Sequence, residues 1–320
     1  MTRGYDLALA EPLETGRGLL TSFTGALHEH PDGGLGDQPA LEAVQAYGEE
    51  LRRFAQQTAE LDALARRAGE PLYKLISRRF LGDGTGPRPG GRVLVHMTTG
   101  LSQALAASGM ARLRGIGTLK VKVAQGDSWP TLLRQLEELR MIQPDMRIRL
   151  DLAGGWENDL RQGIDLRARL HALADLDLEY IEDPVLPLSL DQLPQDIVPL
   201  AVDVLELARG EAIRLVTGLG VRTLVVKPQL LGTWGAAIDL IQMAKSKGIK
   251  VVLSSLYDGP VGIAALVHLA VALGLTETAQ GLNTLALCTP HPCQALKPGK
   301  DGRIAVPEGA GLGLGRPWAP

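Results

Sequence analysis

The chain has 320 residues, of which 45% are hydrophobic and 22% charged, with a formal net charge of -3. That length supports one large domain, or a large and a small one, around a sizeable core, and the composition excludes a disordered chain. Lysine, arginine, aspartate and glutamate are interspersed with no basic stripe, which argues against a nucleic-acid partner.

The opening, MTRGYDLALAEPLETGRG, lacks the basic region, apolar run and small-residue cleavage site of a secretory leader. Polar, glycine-rich sequence follows, in which His28 and His30 of ALHEHPDGG read as loop residues rather than catalytic ones. Helical patterning then runs through PALEAVQAYGEELRRFAQQTAELDALARRAGEPLYKLI. The glycines of Gly82 to Gly91, GDGTGPRPGG, suggest phosphate binding only superficially, since two prolines interrupt them and no helix start follows. This stretch reads as a domain joint.

Beyond it, strand-like runs recur: RVLVHM (92–97), TLKVKV from 118, MRIRLDL from 146, LEYIED from 178, PLAVD from 199, TLVVKP from 223, KVVLSSL from 250 and TAQGLN from 278. Helical stretches such as WPTLLRQLEELRMI and WGAAIDLIQMAKSKG separate most of them, the second closing on Gly248. Eight β units alternating with helices predict a parallel (β/α) barrel, with a doubly wound open sheet as the rival. Val261 to Leu275 is apolar but holds a histidine and is too short to span a bilayer, so it reads as a core helix in a protein with no membrane partner. Two cysteines, Cys288 and Cys293, make no disulfide framework and suit a reducing, cytoplasmic setting. CTPHPC lacks a second ligand cluster and reads as ordinary loop, as does the glycine-rich EGAGLGLGRPWAP.

The chemistry sits at the strand ends. Lys120 and Lys122 share one face of their strand, while Leu119, Val121 and Val123 take the other. In a barrel the apolar set meets the helices and the lysines face the C-terminal mouth, where barrel active sites lie. Asp151, Glu182 and Asp203 end the next three strands, and Lys227, Ser254 and Ser255 follow. Any one of these residues alone fits a cap or a snorkelling side chain. Their convergence from consecutive strands is what points to function, because each buried charge has a separate cost. Three neighbouring carboxylates repel unless a cation joins them, and oxygen ligands suit Mg²⁺. A lysine beside a second cation has a lowered pKa and can serve as a base. Base and Mg²⁺ together permit proton abstraction alpha to a carboxylate.

The motifs KVK (120–122), RLDLAGGW (149–156), YIEDP (180–184), AVD (201–203), VVKP (225–228) and LSSLYDGPVG (253–262) occur in the order seen in the enolase superfamily. The chain most resembles its o-succinylbenzoate synthase branch, over about residues 92 to 290. AQGLNTLAL (279–287) is similar to the eighth-strand end of those synthases and lacks the Asp-x-Asp of dipeptide epimerases. The resemblance implies an α/β fold: a modified (β/α)8-type barrel, (β/α)7β, with an N-terminal α+β capping domain. It places the cap at 1–91, the barrel at 92–285, and a C-terminal segment at 286–320 that returns to the cap.

The resemblance also implies roles. Lys122 takes the alpha proton and returns it to the leaving hydroxyl; Lys120 touches the substrate carboxylate and depresses Lys122. Asp151, Glu182 and Asp203 bind Mg²⁺, with Mn²⁺ as a substitute. Lys227 stabilises the intermediate from the opposite face, Arg149 orients the site, and Ser254, Ser255 and the backbone at Gly281 hold a succinyl tail. The implied partner is a small-molecule carboxylate. The chain departs from the family at Ala153, where Asn is usual, and at Val204 and Leu205, where Glu-Ser is usual; Glu206 is a possible replacement ligand, and Asp258 stands where Glu is common. Three other readings stay open: an N-succinylamino acid racemase using Lys122 and Lys227, a Schiff-base aldolase, and a barrel without catalysis.

Overall fold

The computed structural model of the chain describes residues 1–16, 18–82, 90–203, 218 and 221–315. Most of the joint read at Gly82 to Gly91, and the departures at Val204, Leu205 and Glu206, lie outside the described residues.

The N-terminal part begins with an antiparallel sheet of β1 (Thr2–Thr15), β2 (Gly18–Glu29) and β3 (Leu35–Pro39). His28 is therefore a strand residue, not a loop one: it is buried on β2, and its Nε2 meets Gln38 Oε1 at 2.7 Å. Helices α1 (Gly48–Arg67) and α2 (Leu72–Ile76) follow within the stretch patterned as helical. On α1, Leu51, Phe54, Ala55, Thr58, Ala59 and Asp62 form a buried stripe at the three-and-four spacing of an amphipathic helix.

The segment read as one strand at 92–97 divides. β4 (Arg92–Leu94) pairs antiparallel with the late strand β12 (Arg303–Ala305), and β5 (Met97–Gly100) opens the main sheet. That sheet continues through β6 (Thr118–Lys122), β7 (Arg147–Asp151), β8 (Tyr180–Glu182), β9 (Leu200–Asp203), β10 (Thr223–Val226) and β11 (Lys250–Leu253) in chain order, with every pair parallel. TAQGLN forms no strand, yet it closes the barrel. Gln280 bridges Val95 and Gly281 bridges Ser254, so this short segment spans the two sheet edges. Closure of this kind separates a barrel from the rival open sheet.

Outward-facing residues such as Leu119, Val121, Ile148 and Leu150 are fully buried beneath the helices. Inside, Tyr180, Ala201, Val225 and Val252 from four successive strands form a separate apolar layer below the mouth. The helices start where their caps dictate. Ser128 accepts from Thr131 N ahead of α4 (Trp129–Ile142), and Thr233 accepts from Ala236 N ahead of α7 (Trp234–Ser246). Helix α8 (Pro260–Ala272) is buried on all sides, which is why its sequence lacks a polar face. Between α4 and α7 lie α5 (Glu157–Arg161) and α6 (Leu166–Ala174), and α3 (Ala104–Leu113) precedes β6.

Contacts from α1, α2 and the first sheet fasten the N-terminal part to the barrel and to the C-terminal segment. Trp234 stacks on Phe54 at 5.4 Å and donates from Nε1 to Thr58 Oγ1 at 2.9 Å. Tyr5 and Asp37 meet the start of α8, and Leu72 N donates to Gly311 O at 2.7 Å. No helix among the described residues is long and apolar enough to cross a membrane.

Candidate active site

At the C-terminal ends of the strands lies a cavity lined by Thr98, Lys120, Lys122, Asp151, Asp203, Lys227, Ser254, Ser255 and Gly281, with His96 among them. Parallel register puts Lys122 beside Asp151 and Asp151 beside Glu182. Lys120 Nζ lies 3.0 Å from Asp151 Oδ2 and 2.7 Å from Glu182 Oε1, while Lys122 Nζ lies 2.6 Å from Asp151 Oδ2. Lys227 donates to Asp203 Oδ2 from the other side. Lysines and carboxylates thus pair across β6 to the end of β10.

The electrostatics follow from that pairing. Burial works to lower Lys122, but Asp151 outweighs it and the amine is raised to about 12. Lys120 is likewise buried, and Asp151 and Glu182 hold it well above the usual ammonium range. The depressed lysine expected from the paired cations is therefore absent while Asp151 faces it: carboxylate attraction exceeds the repulsion between neighbouring ammoniums. Burial would raise Asp151, but Lys120 and Lys122 carry it below the usual carboxylate range. Glu182 is raised, chiefly by burial and against the pull of Lys120.

The carboxylates expected to gather were Asp151, Glu182 and Asp203. The structure draws Glu182, Asp183 and Asp203 together, with ligand oxygens within 4.8 Å of one another, and turns Asp151 toward the lysines. Sequence reasoning missed Asp183 because strand alternation puts a neighbour of Glu182 on the opposite face. Its φ of 43° ends that alternation and swings the carboxylate inward, where Oδ1 accepts from Asp203 N at 3.0 Å. Burial, then Asp203 and Glu182, push Asp183 well up. Glu182 Oε2 is buried with no hydrogen-bond partner among the described residues. An all-oxygen donor set with an orphaned carboxylate oxygen fits a hard divalent cation.

Arg149 does not line the cavity. It is fully buried, its Nε donates to Glu179 Oε2 at 2.8 Å and its Nη1 to Ala279 O at 2.7 Å, and among the described residues it reaches the cavity through His96. Ser255 Oγ meets Thr284 Oγ1 at 2.9 Å. The mouth is covered by the hairpin tip at Thr15, Gly16, Gly18, Leu19 and Leu20, together with Leu41 and Val44, which sequence reasoning left unassigned. Ala153 lies under that tip. A Cβ on Gly16 would fall 2.8 Å from Ala153 Cβ, so the hairpin approaches this closely because Gly16 has no side chain and that of Ala153 is small. Asp258 lies beyond the end of β11 and accepts from Gln229 Nε2 at 2.7 and 2.8 Å, away from the cavity lining.

A barrel closed as seven strands and a bridging segment, with carboxylates at the ends of β7, β8 and β9, describes one class of protein. Residues 103–315 match the family model described as enolase C-terminal domain-like, and the chain belongs to the enolase superfamily. Within it the chain falls in the o-succinylbenzoate synthase branch. It is 34% identical over 186 residues to the o-succinylbenzoate synthase of Thermobifida fusca, covering 56% of this chain and 55% of that protein. Against the o-succinylbenzoate synthase of Mycobacterium marinum it is 31% identical over 230 residues, covering 69% and 67%. The match thus spans only about half of the first relative's length. The crystal structure of a dipeptide epimerase from Enterococcus faecalis, complexed with Mg and a dipeptide, superposes with a TM-score of 0.79 at 21% identity over 98% of both chains, which is a likeness of fold.

Proposed function

We propose that this chain is an o-succinylbenzoate synthase, a Mg²⁺-dependent hydro-lyase of menaquinone biosynthesis acting in the cytoplasm. It would convert the small carboxylate 2-succinyl-6-hydroxy-2,4-cyclohexadiene-1-carboxylate to o-succinylbenzoate. The observation that carries the reading is the approach of Lys122 and Lys227, from opposite sides of one cavity, to the carboxylates of β7 to β9. We assign residues 1–91 to a cap, 92–285 to the barrel and 286–320 to the C-terminal segment.

Asp151, Glu182 and Asp203 would hold the cation, with Asp183 fixing the backbone at Asp203. Mg²⁺ bound there supplies electrostatic stabilisation of the charge that develops on the substrate carboxylate. Lys122 is the base. Asp151 holds its amine up, so engaging that carboxylate elsewhere leaves burial and Lys120 to lower Lys122 and makes the free amine available as the base. It takes the proton alpha to the carboxylate, leaving an enediolate, and gives the same proton to the departing hydroxyl, which leaves as water as the ring becomes aromatic. Lys120 would contact the substrate carboxylate, Lys227 would face the enediolate from the opposite side, and Ser254, Ser255 and the backbone at Gly281 would meet the succinyl arm.

The same lysines also equip the site as an N-succinylamino acid racemase, since each stands on a different side of the cavity. An ultraviolet assay of the cyclohexadiene substrate, with Mg²⁺ and with excess EDTA, tests the primary reading. We expect turnover that needs the metal and falls by about 10²- to 10⁴-fold in Lys122→Ala. Folded, metal-loaded protein that leaves this substrate untouched but exchanges the alpha proton of N-succinylamino acids would overturn it in favour of the racemase.

A further inference from the structure

His96 has no assigned role, yet its ring lines the cavity and is held in one state by its neighbours. Arg149 Nη1 lies 2.9 Å from His96 Nδ1. A guanidinium has five donors and no acceptor, so Nδ1 must accept. The ring hydrogen then sits on Nε2. Burial, reinforced by Arg149, Lys120 and Lys122, holds His96 well below the usual imidazole range, so the ring stays neutral. Nδ1 is thus committed to Arg149, and Nε2–H has no partner among the described residues.

The position of this donor specifies what it meets. The carboxylates end β7, β8 and β9, whereas His96 lies just before β5, at the seam where the segment at Gln280 and Gly281 closes the barrel. His96 N donates to Gln280 O at 3.0 Å. A Cβ on Gly281 would fall 3.2 Å from His96 Cε1 and 3.0 Å from Ser254 Oγ, so the glycine brings the backbone close to the ring edge. A ligand that points one carboxylate toward β7 to β9 presents its other end to this seam. A neutral donor suits an oxygen there, because it fixes orientation without adding charge to a site already rich in lysines.

We propose that His96 is a substrate-binding residue whose Nε2–H donates to an oxygen of the succinyl arm, against the wall made by Ser254 and Gly281. The identity of that arm rests on the dehydration reading above. Arg149 is a positioning residue here: it sets the tautomer and never reaches the ligand itself.

Two substitutions separate donor from scaffold. His96→Asn keeps an acceptor for Arg149 near the Nδ1 position and removes the outer donor; His96→Gln restores a donor near the Nε2 position and removes that acceptor. Binding of o-succinylbenzoate is compared with that of 2-butylbenzoate, which keeps the ring and its carboxylate but has no oxygen on the arm, by calorimetry in Mg²⁺. We expect His96→Asn to weaken o-succinylbenzoate by about 5- to 10-fold and leave 2-butylbenzoate unchanged, with His96→Gln recovering part of the loss. In ¹⁵N-histidine spectra, the signal lost in His96→Asn should report the Nε2–H tautomer and should move when o-succinylbenzoate binds. Equal losses for both ligands, or a normal His96→Asn beside an impaired His96→Gln, would overturn the donor role while wild-type turnover upholds the reaction. Wild type that neither binds o-succinylbenzoate nor forms it would overturn the reaction, and the succinyl contact with it.

Discussion

Lys120 and Lys122 stand two residues apart on one strand, yet Lys120 bridges two carboxylates and Lys122 touches one. The inner lysine is thereby locked, and the outer one is the lysine with a single bond to release. Gly281 shows how little room the opposite wall allows. A methyl group there would press on Ser254 Oγ and His96 Cε1 together, and overpacking of this kind costs about 1–3 kcal/mol. On the proposed dehydration, Gly281→Ala should therefore raise KM for the cyclohexadiene substrate several-fold while lowering the thermal midpoint only slightly; an unchanged KM would mean that the seam is not a ligand wall. The lysines and strand-end carboxylates were legible because alternation alone decides which face they share. Asp183 was not, because its inward turn depends on a positive φ, and the state of His96 was not, because it depends on an arginine fork from another strand.

At the scale of elements, the helices and most strands could be read because each buries one periodic face. The hairpin of β1 and β2 was hidden. Much of it is exposed, and its register shifts between Ala8 and Leu13, so no clean alternation marks it. What the hairpin does could not be read either: it delivers Tyr5 to the barrel. Tyr5 OH donates to Asp37 Oδ1 at 2.8 Å and accepts from Gly259 N at 2.9 Å, while Asp37 Oδ2 accepts from Gly262 N at 3.2 Å in the first turn of α8. Burial, and then the nearby Asp258, raise Asp37 from 3.8 to about 8. The sign follows from linkage. Between these values the folded chain keeps a proton that the unfolded chain has released, so this contribution to stability is complete at low pH and is lost as pH rises toward 8. Asp258, raised by burial to about 6, loses its smaller share over the lower part of the same range. Thermal midpoints measured from about pH 5.5 to about pH 8.5 should fall more steeply in wild type than in Asp37→Asn, which carries a constant offset instead. Parallel curves would show that Asp37 is ionised throughout.

Across the whole molecule, the C-terminal stretch shows where composition misleads. EGAGLGLG reads as loose sequence, but Leu312 is fully buried and is held from two directions. Its N–H donates to Asp62 Oδ1 at 2.7 Å, and its carbonyl meets His268 Nε2 at 3.2 Å, with Tyr73 N donating to the other ring nitrogen at 3.1 Å. Gly311 must be glycine: its φ is 72°, and a Cβ would lie 2.0 Å from Asp62 Oδ1. The sequence carries the glycines but not the carboxylate that makes them necessary. Asp62 also accepts from Leu35 N and Arg66 Nε, each at 2.9 Å, so one buried side chain joins β3, α1 and the C-terminal segment. Asp62→Ala would strand two backbone donors and an arginine at once, and each unsatisfied buried group costs about 1–3 kcal/mol, so a loss of roughly 3–5 kcal/mol is expected in chemical denaturation. With Trp129, Trp156 and Trp318 replaced by Phe in both backgrounds, Trp234, stacked on α1 from the barrel side, gives a fluorescence probe of the joint between the two parts, and far-ultraviolet circular dichroism follows the whole chain. If the cap and barrel stand or fall together, both signals should shift to the same lower midpoint in Asp62→Ala. A fluorescence transition that moves alone would instead mean that the N-terminal part releases from a barrel still folded, and that the C-terminal segment is its anchor rather than an anchor of the whole.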